Sequence, residues 1–113
     1  MNSILVFLGG GIGAVARYWL SGIVYRTLGS GLPYGTMGVN VAGCFLIGLL
    51  MSVFDERFLV DPSLRIFLTI GVLGGFTTFS SFSYETIALL RDGEVLVASL
   101  NVLLSVAACL GAT

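Results

Sequence analysis

The stretch GVLGGFTTFSSFSYE, residues 71–85, interrupts an otherwise apolar segment with small and polar residues. It contains two adjacent glycines, three phenylalanines and, before Glu85, no charged residue. Its small hydroxyl residues are Thr77, Thr78, Ser80, Ser81 and Ser83. Adjacent glycines followed by two β-branched threonines form a poor helix centre. The stretch therefore predicts an interruption within a long apolar helix.

The chain around this stretch has the composition of a membrane protein. Of its 113 residues, 57% are hydrophobic and 10% are charged, and the mean hydropathy is +1.05. Four apolar segments, 4–25, 36–54, 62–90 and 95–113, are close to or above the roughly 20 residues that cross a bilayer as a helix. The sequence predicts a single all-α domain, 1–113, with four transmembrane helices. We expect the first span to remain in the mature protein, since it is too long for a signal peptide and carries Arg17.

The third segment is too long for one straight span. As an unbroken helix, residues 62–90 would extend about 43 Å, against a hydrocarbon core of about 30 Å. We expect a break at residues 74–78, near mid-membrane. Such a break frees backbone groups that lipid cannot satisfy and that must face protein, water or an ion. A cation cage made of carbonyls from two chains and a purely structural kink both fit the sequence.

The arginines do not favour one orientation in the membrane. The N-terminus, Arg57 and Arg65 are predicted on one side, and Arg26 and Arg91 on the other, with no lysine in the chain. Because Lys and Arg set orientation, this balance predicts insertion both ways round and an antiparallel, dual-topology homodimer. Alternatively, Arg17 or the N-terminal amine selects one orientation. A lone four-helix bundle has little room for a water-filled path, which also favours a path at an interface between copies.

The composition argues against several classes of protein. There is no histidine, and Cys44 and Cys109 both lie inside predicted spans, so zinc and haem sites lack ligands. The formal net charge of −1 does not suit a nucleic-acid-binding surface. No nucleophile is accompanied by a base or a metal ligand set, so we do not expect an enzyme.

Polar residues inside the spans form the candidate site. Phe79 and Phe82 are three residues apart and project from one face of the resumed helix, where their positive ring edges could attract an anion or simply pack in the core. The neutral hydrogen-bonding residues are Thr78, Ser80 and Ser81 in the third span, Asn40 in the second, and Asn101 and Ser105 in the fourth. An anion that sheds water needs donors of this kind. Ser and Thr also bond to their own helix, however, and Asn also joins helices.

Two charged residues lie close to this candidate site. Arg17, inside the first span, could attract an anion into a vestibule or extend to the membrane interface. Glu85 follows Phe82 by one turn and could pair with an arginine or end a polar network.

These residues together resemble the Fluc (CrcB-like) fluoride channels of microbes. Three motifs carry the resemblance: GGIGAVARY at 10–18, GVNVAG at 38–43, and GVLGGFTTFSSF at 71–82 with Glu85. The resemblance spans the whole chain. It implies a fluoride-selective channel of the inner membrane that passively exports fluoride from the cytoplasm through two antiparallel pores per homodimer.

The resemblance also implies residue roles. Asn40 would donate to fluoride, and Phe79 and Phe82 would turn their ring edges toward it. The backbone carbonyls of Gly74 and Thr77 from each chain would hold a structural sodium ion at the dimer centre. The rest of the implied polar pore is Thr78, Ser80, Ser81, Asn101 and Ser105. Two of these depart from the family's pattern, since Ser81 stands where threonine is common and Asn101 where tyrosine is often found.

A proton-coupled exporter of the small multidrug resistance type is the alternative. Such proteins are also short, four-spanning and dual in topology, but they use a glutamate in the first helix, and segment 4–25 has no acidic residue. A non-transporting scaffold subunit, with hydroxyls only as helix contacts, is a third possibility. Neutral donors argue for an anion, whereas the choice of fluoride over chloride rests on the resemblance alone.

Overall fold

The regular elements of the chain are all helices in the computed structural model, which describes residues 2–29, 31–56 and 61–113. Four helical segments are long and apolar enough to cross a membrane: Asn2–Leu28, Tyr34–Asp55, Pro62–Arg91 and Val95–Ala112. The prediction of an all-α chain with four spans is confirmed. The protein is a multi-pass membrane protein.

The first, second and fourth spans are single helices. They are α1 (Asn2–Leu28), α2 (Tyr34–Glu56) and α6 (Val95–Ala112). Both α1 and α2 extend a few residues past the predicted segments 4–25 and 36–54, because hydropathy marks the part that lipid covers and a helix continues into the interface. At the end of α1, Gly29 has a φ of 81° and its N–H bonds to the Tyr25 carbonyl at 2.9 Å.

The third span consists of several pieces. These are α3 (Pro62–Ile66), a π-helix (Phe67–Leu73), α4 (Gly74–Phe76) and α5 (Phe79–Arg91). Residues 74–76, which the sequence analysis places inside the break, form a helical turn. The backbone is extended at Thr77 (φ −85°, ψ 156°) and Thr78 (φ −149°, ψ 115°). Within this helical turn Gly75 packs against the backbone of Gly10 on α1. The departure from helix falls on the two threonines instead.

The ends of the third span have clear local causes. Asp61 caps α3 by accepting a hydrogen bond from the Ser63 N–H at 2.9 Å, with Pro62 as the first helical residue. At the other end, Gly93 has a φ of 78°, which lets the chain turn directly from α5 into α6. Arg57, which enters the predicted charge balance, lies outside the described residues.

Helix α1 packs backbone to backbone on the third span. A Cβ atom on Gly9 would lie 2.9 Å from the Cα of Gly71, and one on Gly13 would overlap the carbonyl oxygen of Val72. Both glycines are buried. This close approach holds the π-helix and α4 in place and so fixes the position of the two extended threonines.

Candidate functional site

Thr78 lies between two cavities that together contain most of the predicted site residues. The larger cavity has a volume of about 480 Å³, and the smaller one about 280 Å³. Predicted residues that line the larger cavity are Asn40, Gly74, Thr77, Thr78, Phe79, Phe82 and Ser105. Those that line the smaller cavity are Arg17, Thr78, Ser81 and Glu85. Ser80 and Asn101 line neither.

Asn40 pairs its side-chain amide with the backbone of Thr78. Its Nδ2 donates to the Thr78 carbonyl at 3.0 Å, and its Oδ1 accepts from the Thr78 N–H at 2.8 Å. The amide thereby replaces the helical partners that an extended residue lacks, which is why an isolated asparagine in α2 is needed at this level. An amide nitrogen carries two hydrogens, so one N–H of Asn40 remains for another acceptor in the cavity.

The Thr78 hydroxyl caps the helix that follows. Its Oγ1 accepts from the Ser81 N–H at 3.2 Å, donates to the Ser81 Oγ at 3.1 Å, and lies 3.3 Å from the Ser80 Oγ. Thr78 itself is buried. Part of the hydroxyl-rich motif therefore restarts α5 after the extended pair, in the manner of an N-cap.

Because the Thr78 and Ser81 N–H groups bond to side chains, the backbone carbonyls of Gly74 and Thr77 lack their helical donors. In a continuous helix the Thr78 N–H would bond to the Gly74 carbonyl, and the Ser81 N–H to the Thr77 carbonyl. Here those donors are directed to Asn40 and to the Thr78 hydroxyl instead. Gly74 and Thr77 both line the larger cavity. Their carbonyl oxygens are therefore available to another electropositive partner.

Phe79 and Phe82 form the aromatic wall of the larger cavity. Their ring centroids are 5.4 Å apart, with the planes tilted by 52°, which is a favourable aromatic geometry. Phe79 is 78% exposed on the single chain. A ring so exposed contributes little to the core of one copy, so its placement needs lipid, a ligand path or a second copy to cover it.

Glu85 sits in the smaller cavity with hydroxyl partners. Its Oε1 accepts from the Thr36 hydroxyl at 2.8 Å and from the Tyr25 hydroxyl at 3.5 Å. Its Oε2 is buried and has no hydrogen-bond partner among the residues that the structure describes. Arg17 lines the same cavity. Of the two sequence interpretations for Glu85, the polar network is the one observed, with Thr36 and Tyr25 as partners.

Asn101 belongs to a hydrogen-bond network between α5 and α6. Its Nδ2 donates to the Thr86 Oγ1 at 2.9 Å, and its Oδ1 accepts from the Ser105 hydroxyl at 3.3 Å. Asn101 is 1% exposed and Ser105 is 5% exposed. In a single copy Asn101 joins two helices, and only Ser105 of the predicted polar track on α6 reaches the larger cavity.

Thr86→Val should destabilise the protein by about 1–3 kcal/mol, since the valine keeps the shape but leaves the buried Asn101 amide without its acceptor. Thermal unfolding in detergent would measure the loss. The matched control is Thr27→Val, because Thr27 is exposed and bonds only within its own helix. Equal melting temperatures for the two variants would show that the Asn101–Thr86 bond adds no stability.

The family model for "CrcB-like protein, Camphor Resistance (CrcB)" matches residues 4–113. The chain belongs to the CrcB-like family. The match covers both cavities and all four spans, apart from the first two residues of the first span.

Curated CrcB-like relatives cover almost the whole chain. A protein of Geotalea daltonii is 56% identical over 108 residues, which is 94% of this chain and 87% of that protein. One from Geobacter metallireducens is 54% identical over 113 residues, 100% of this chain and 91% of its own. One from Geobacter sulfurreducens is 58% identical over 111 residues, which is 98% of this chain and 88% of that protein. Each of the three is named "Fluoride-specific ion channel FluC", and none carries the name of a multidrug exporter.

Sequence reasoning about this CrcB-like chain missed three residues of the polar networks. Thr36 and Tyr25 bond to Glu85, and Thr86 bonds to Asn101. Each partner lies on another helix or at a distance along the chain. The one local signal is that Thr86 directly follows Glu85 in a span, and this alone does not separate it from hydroxyls that bond only to their own helix.

Proposed function

We propose that this protein is a fluoride-selective channel that lets fluoride leave the cytoplasm passively across the inner membrane. The observation that carries the proposal is the match of 94–100% of the chain, at 54–58% identity, to relatives named fluoride-specific ion channels. The presence of the Phe79 and Phe82 rings in the larger cavity, together with the neutral amide donor of Asn40, supports the proposal. Such groups can replace the hydration shell of a small anion without trapping it.

The ion path begins in the smaller cavity and continues into the larger one. Arg17 lines the smaller cavity, and its positive charge would draw an anion into the membrane. Thr78 lines both cavities and marks the crossing between them. Beyond it, the free N–H of Asn40 and the edges of Phe79 and Phe82 are the groups that meet the ion. Ser81 and Ser105 add hydroxyls at the two ends of this route.

The working unit is an antiparallel homodimer with two such paths. The balanced arginines support insertion in both orientations, and a second copy would cover the exposed ring of Phe79. The glycines Gly9, Gly13, Gly71 and Gly75 are used for packing within one chain, so the interface is built mainly from other residues.

A sodium ion at the dimer centre fits the freed carbonyls. Gly74 and Thr77 both lose their helical donors and both line the larger cavity, and carbonyl oxygens are good ligands for a hard monovalent cation. The ion would neutralise these dipoles and tie the extended threonines of the two copies together. Thr77 is further held by its own hydroxyl, which donates to the Leu73 carbonyl at 3.0 Å.

A liposome assay tests the function. Vesicles that contain purified protein and potassium fluoride or potassium chloride are opened to potassium with an ionophore, and anion release is followed with ion-selective electrodes. We expect rapid release of fluoride and retention of chloride. Retention of both anions, or release of both at equal rates, would overturn the proposal.

We expect half of the copies to face each way in the membrane. Gly31→Cys, at an exposed loop position in a chain that lacks Cys44 and Cys109, would be labelled in intact cells by an impermeant maleimide to about half of the level reached after lysis. Complete labelling, or none, in intact cells would show a single orientation and contradict the antiparallel dimer.

Phe79→Ile and Phe82→Ile should each lower fluoride efflux by about two- to tenfold, the factor that corresponds to losing an aromatic interaction of about 0.5–1.5 kcal/mol. Isoleucine roughly keeps the volume and removes the ring edge. Phe7→Ile is the matched control, because Phe7 is also 78% exposed but lines neither cavity. Full efflux from both test variants would assign these rings to packing.

A further inference from the structure

Two free thiols remain that the proposed function does not use. Cys44 lies on α2 and Cys109 on α6, and both are half-buried. The two helices pack closely one turn further on, since a Cβ atom on Gly48 would overlap the carbonyl oxygen of Thr113, and these residues follow Cys44 and Cys109 by four positions each. Both also line the larger cavity, so both thiols can be reached by a ligand that enters it.

Each thiol lies one helical turn beyond a polar residue of the same cavity. Cys44 follows Asn40 by four residues on α2, and Cys109 follows Ser105 by four residues on α6. Residues spaced by four share one face of a helix. The thiol pair therefore continues the polar faces of α2 and α6, in a wall whose other lining residues include Thr77, Phe79 and Phe82.

The chemistry of this pair selects one class of ligand. Within residues 2–29, 31–56 and 61–113, no group of three or more His, Cys, Asp or Glu side chains could hold a metal ion. These residues therefore offer no site for an ion that requires three or four such ligands. Thiolates prefer soft cations, and some of these are satisfied by two sulfur ligands. We propose that Cys44 and Cys109 form a two-thiolate site for a soft, two-coordinate cation of the Hg(II), Ag(I) or Cu(I) class.

The binding step is balanced without any redox change. With mercuric chloride, two Hg–S bonds form, while two S–H bonds and two Hg–Cl bonds break. Two protons and two chloride ions leave to solvent, and no electron is transferred. Mercuric chloride is a neutral molecule, so an apolar cavity within the membrane does not exclude it.

The bound cation would link α2 to α6 across the cavity wall. This link has a consequence that rests on the proposed function, since a cation held between the thiols narrows the path beside Phe79 and Phe82. Mercury should then stop fluoride efflux. The binding itself does not depend on what the protein transports.

The test uses the purified full chain with one equivalent of mercuric chloride. We expect the denatured product to show no free thiols with Ellman's reagent, and its mass to rise by one mercury less two hydrogens. Cys44→Ser and Cys109→Ser should each release mercury to a competing monothiol at least tenfold more readily than the unaltered chain. Two mercury atoms on one chain, or equal retention by the serine variants, would overturn the proposal.

A disulfide is the other way to lose both thiols, and it has a different signature. It lowers the mass by two hydrogens, contains no metal, and is reversed by a phosphine reductant; that result in place of the mercury adduct would also overturn the proposal. Fluoride release from vesicles is a separate measurement. A mercury adduct of the expected mass with unaffected fluoride release would keep the site and reject its position on the path, while fluoride-impermeable untreated vesicles would reject the proposed function only.

Discussion

Gly13→Ala is expected to prevent the protein from reaching a stable folded state. A Cβ at position 13 would overlap the Val72 carbonyl oxygen and lie 2.8 Å from the Phe76 nitrogen. Both of these atoms belong to backbone, which cannot move aside as a flexible side chain does. Overpacking of this kind costs about 3 kcal/mol or more, a large part of the stability of a chain of this size. Size-exclusion chromatography of a fluorescent fusion would show aggregate in place of a single folded peak.

The matched control for this prediction lies two residues away. Gly11 is on the same helix, and a Cβ there would meet nothing within 4 Å. Gly11→Ala should therefore elute like the unaltered protein, and its thermal stability should be equal or slightly higher because alanine favours helix. If Gly13→Ala also behaved normally, α1 would not pack on the third span as closely as described.

Asn40→Asp is expected to reduce fluoride efflux at least tenfold. An aspartate still accepts from the Thr78 N–H, but it loses the donor to the Thr78 carbonyl and brings a carboxylate oxygen within about 3 Å of that carbonyl oxygen. It also adds a negative charge on the proposed anion path, where a low dielectric strengthens repulsion. Efflux from liposomes measures the loss.

Two further variants separate the causes. Asn2→Asp adds the same charge at an exposed position that lines neither cavity, and efflux should stay unchanged. Asn40→Ala removes both hydrogen bonds without adding charge, so any efflux that it retains above that of Asn40→Asp reports the electrostatic part. Wild-type efflux from Asn40→Asp would remove Asn40 from the path and from any role in holding Thr78.

The spans and their local signals could be predicted from the sequence because they depend on near neighbours. Hydropathy located the four spans, and the Asp61–Pro62 pair located the start of the third. Hydrogen bonding between distant helices could not be predicted in this way. That Asn40 holds the backbone of Thr78, or that Asn101 bonds to Thr86, depends on how α2, α5 and α6 pack, and no local pattern encodes it.

The glycines show the same limit in another form. Pairs such as Gly9 with Gly13 and Gly71 with Gly75 mark surfaces that another backbone can approach, and the sequence alone does not say which backbone. In the structure these two surfaces face each other within one chain. The spacing of the glycines indicates close packing, while the choice of partner depends on the fold. The same holds for the π-helix at Phe67–Leu73, which no residue pattern indicated.

The most direct measurement of the central claim is the reversal potential of the protein in a planar bilayer with potassium fluoride on one side and potassium chloride on the other. If neutral donors replace the hydration shell of fluoride along a passive path, fluoride carries the current. We then expect the reversal voltage to be displaced strongly from zero, in the direction set by fluoride permeation. With the two salts at equal concentration, a current that reverses near zero, which is also the equilibrium voltage of potassium, would contradict this expectation.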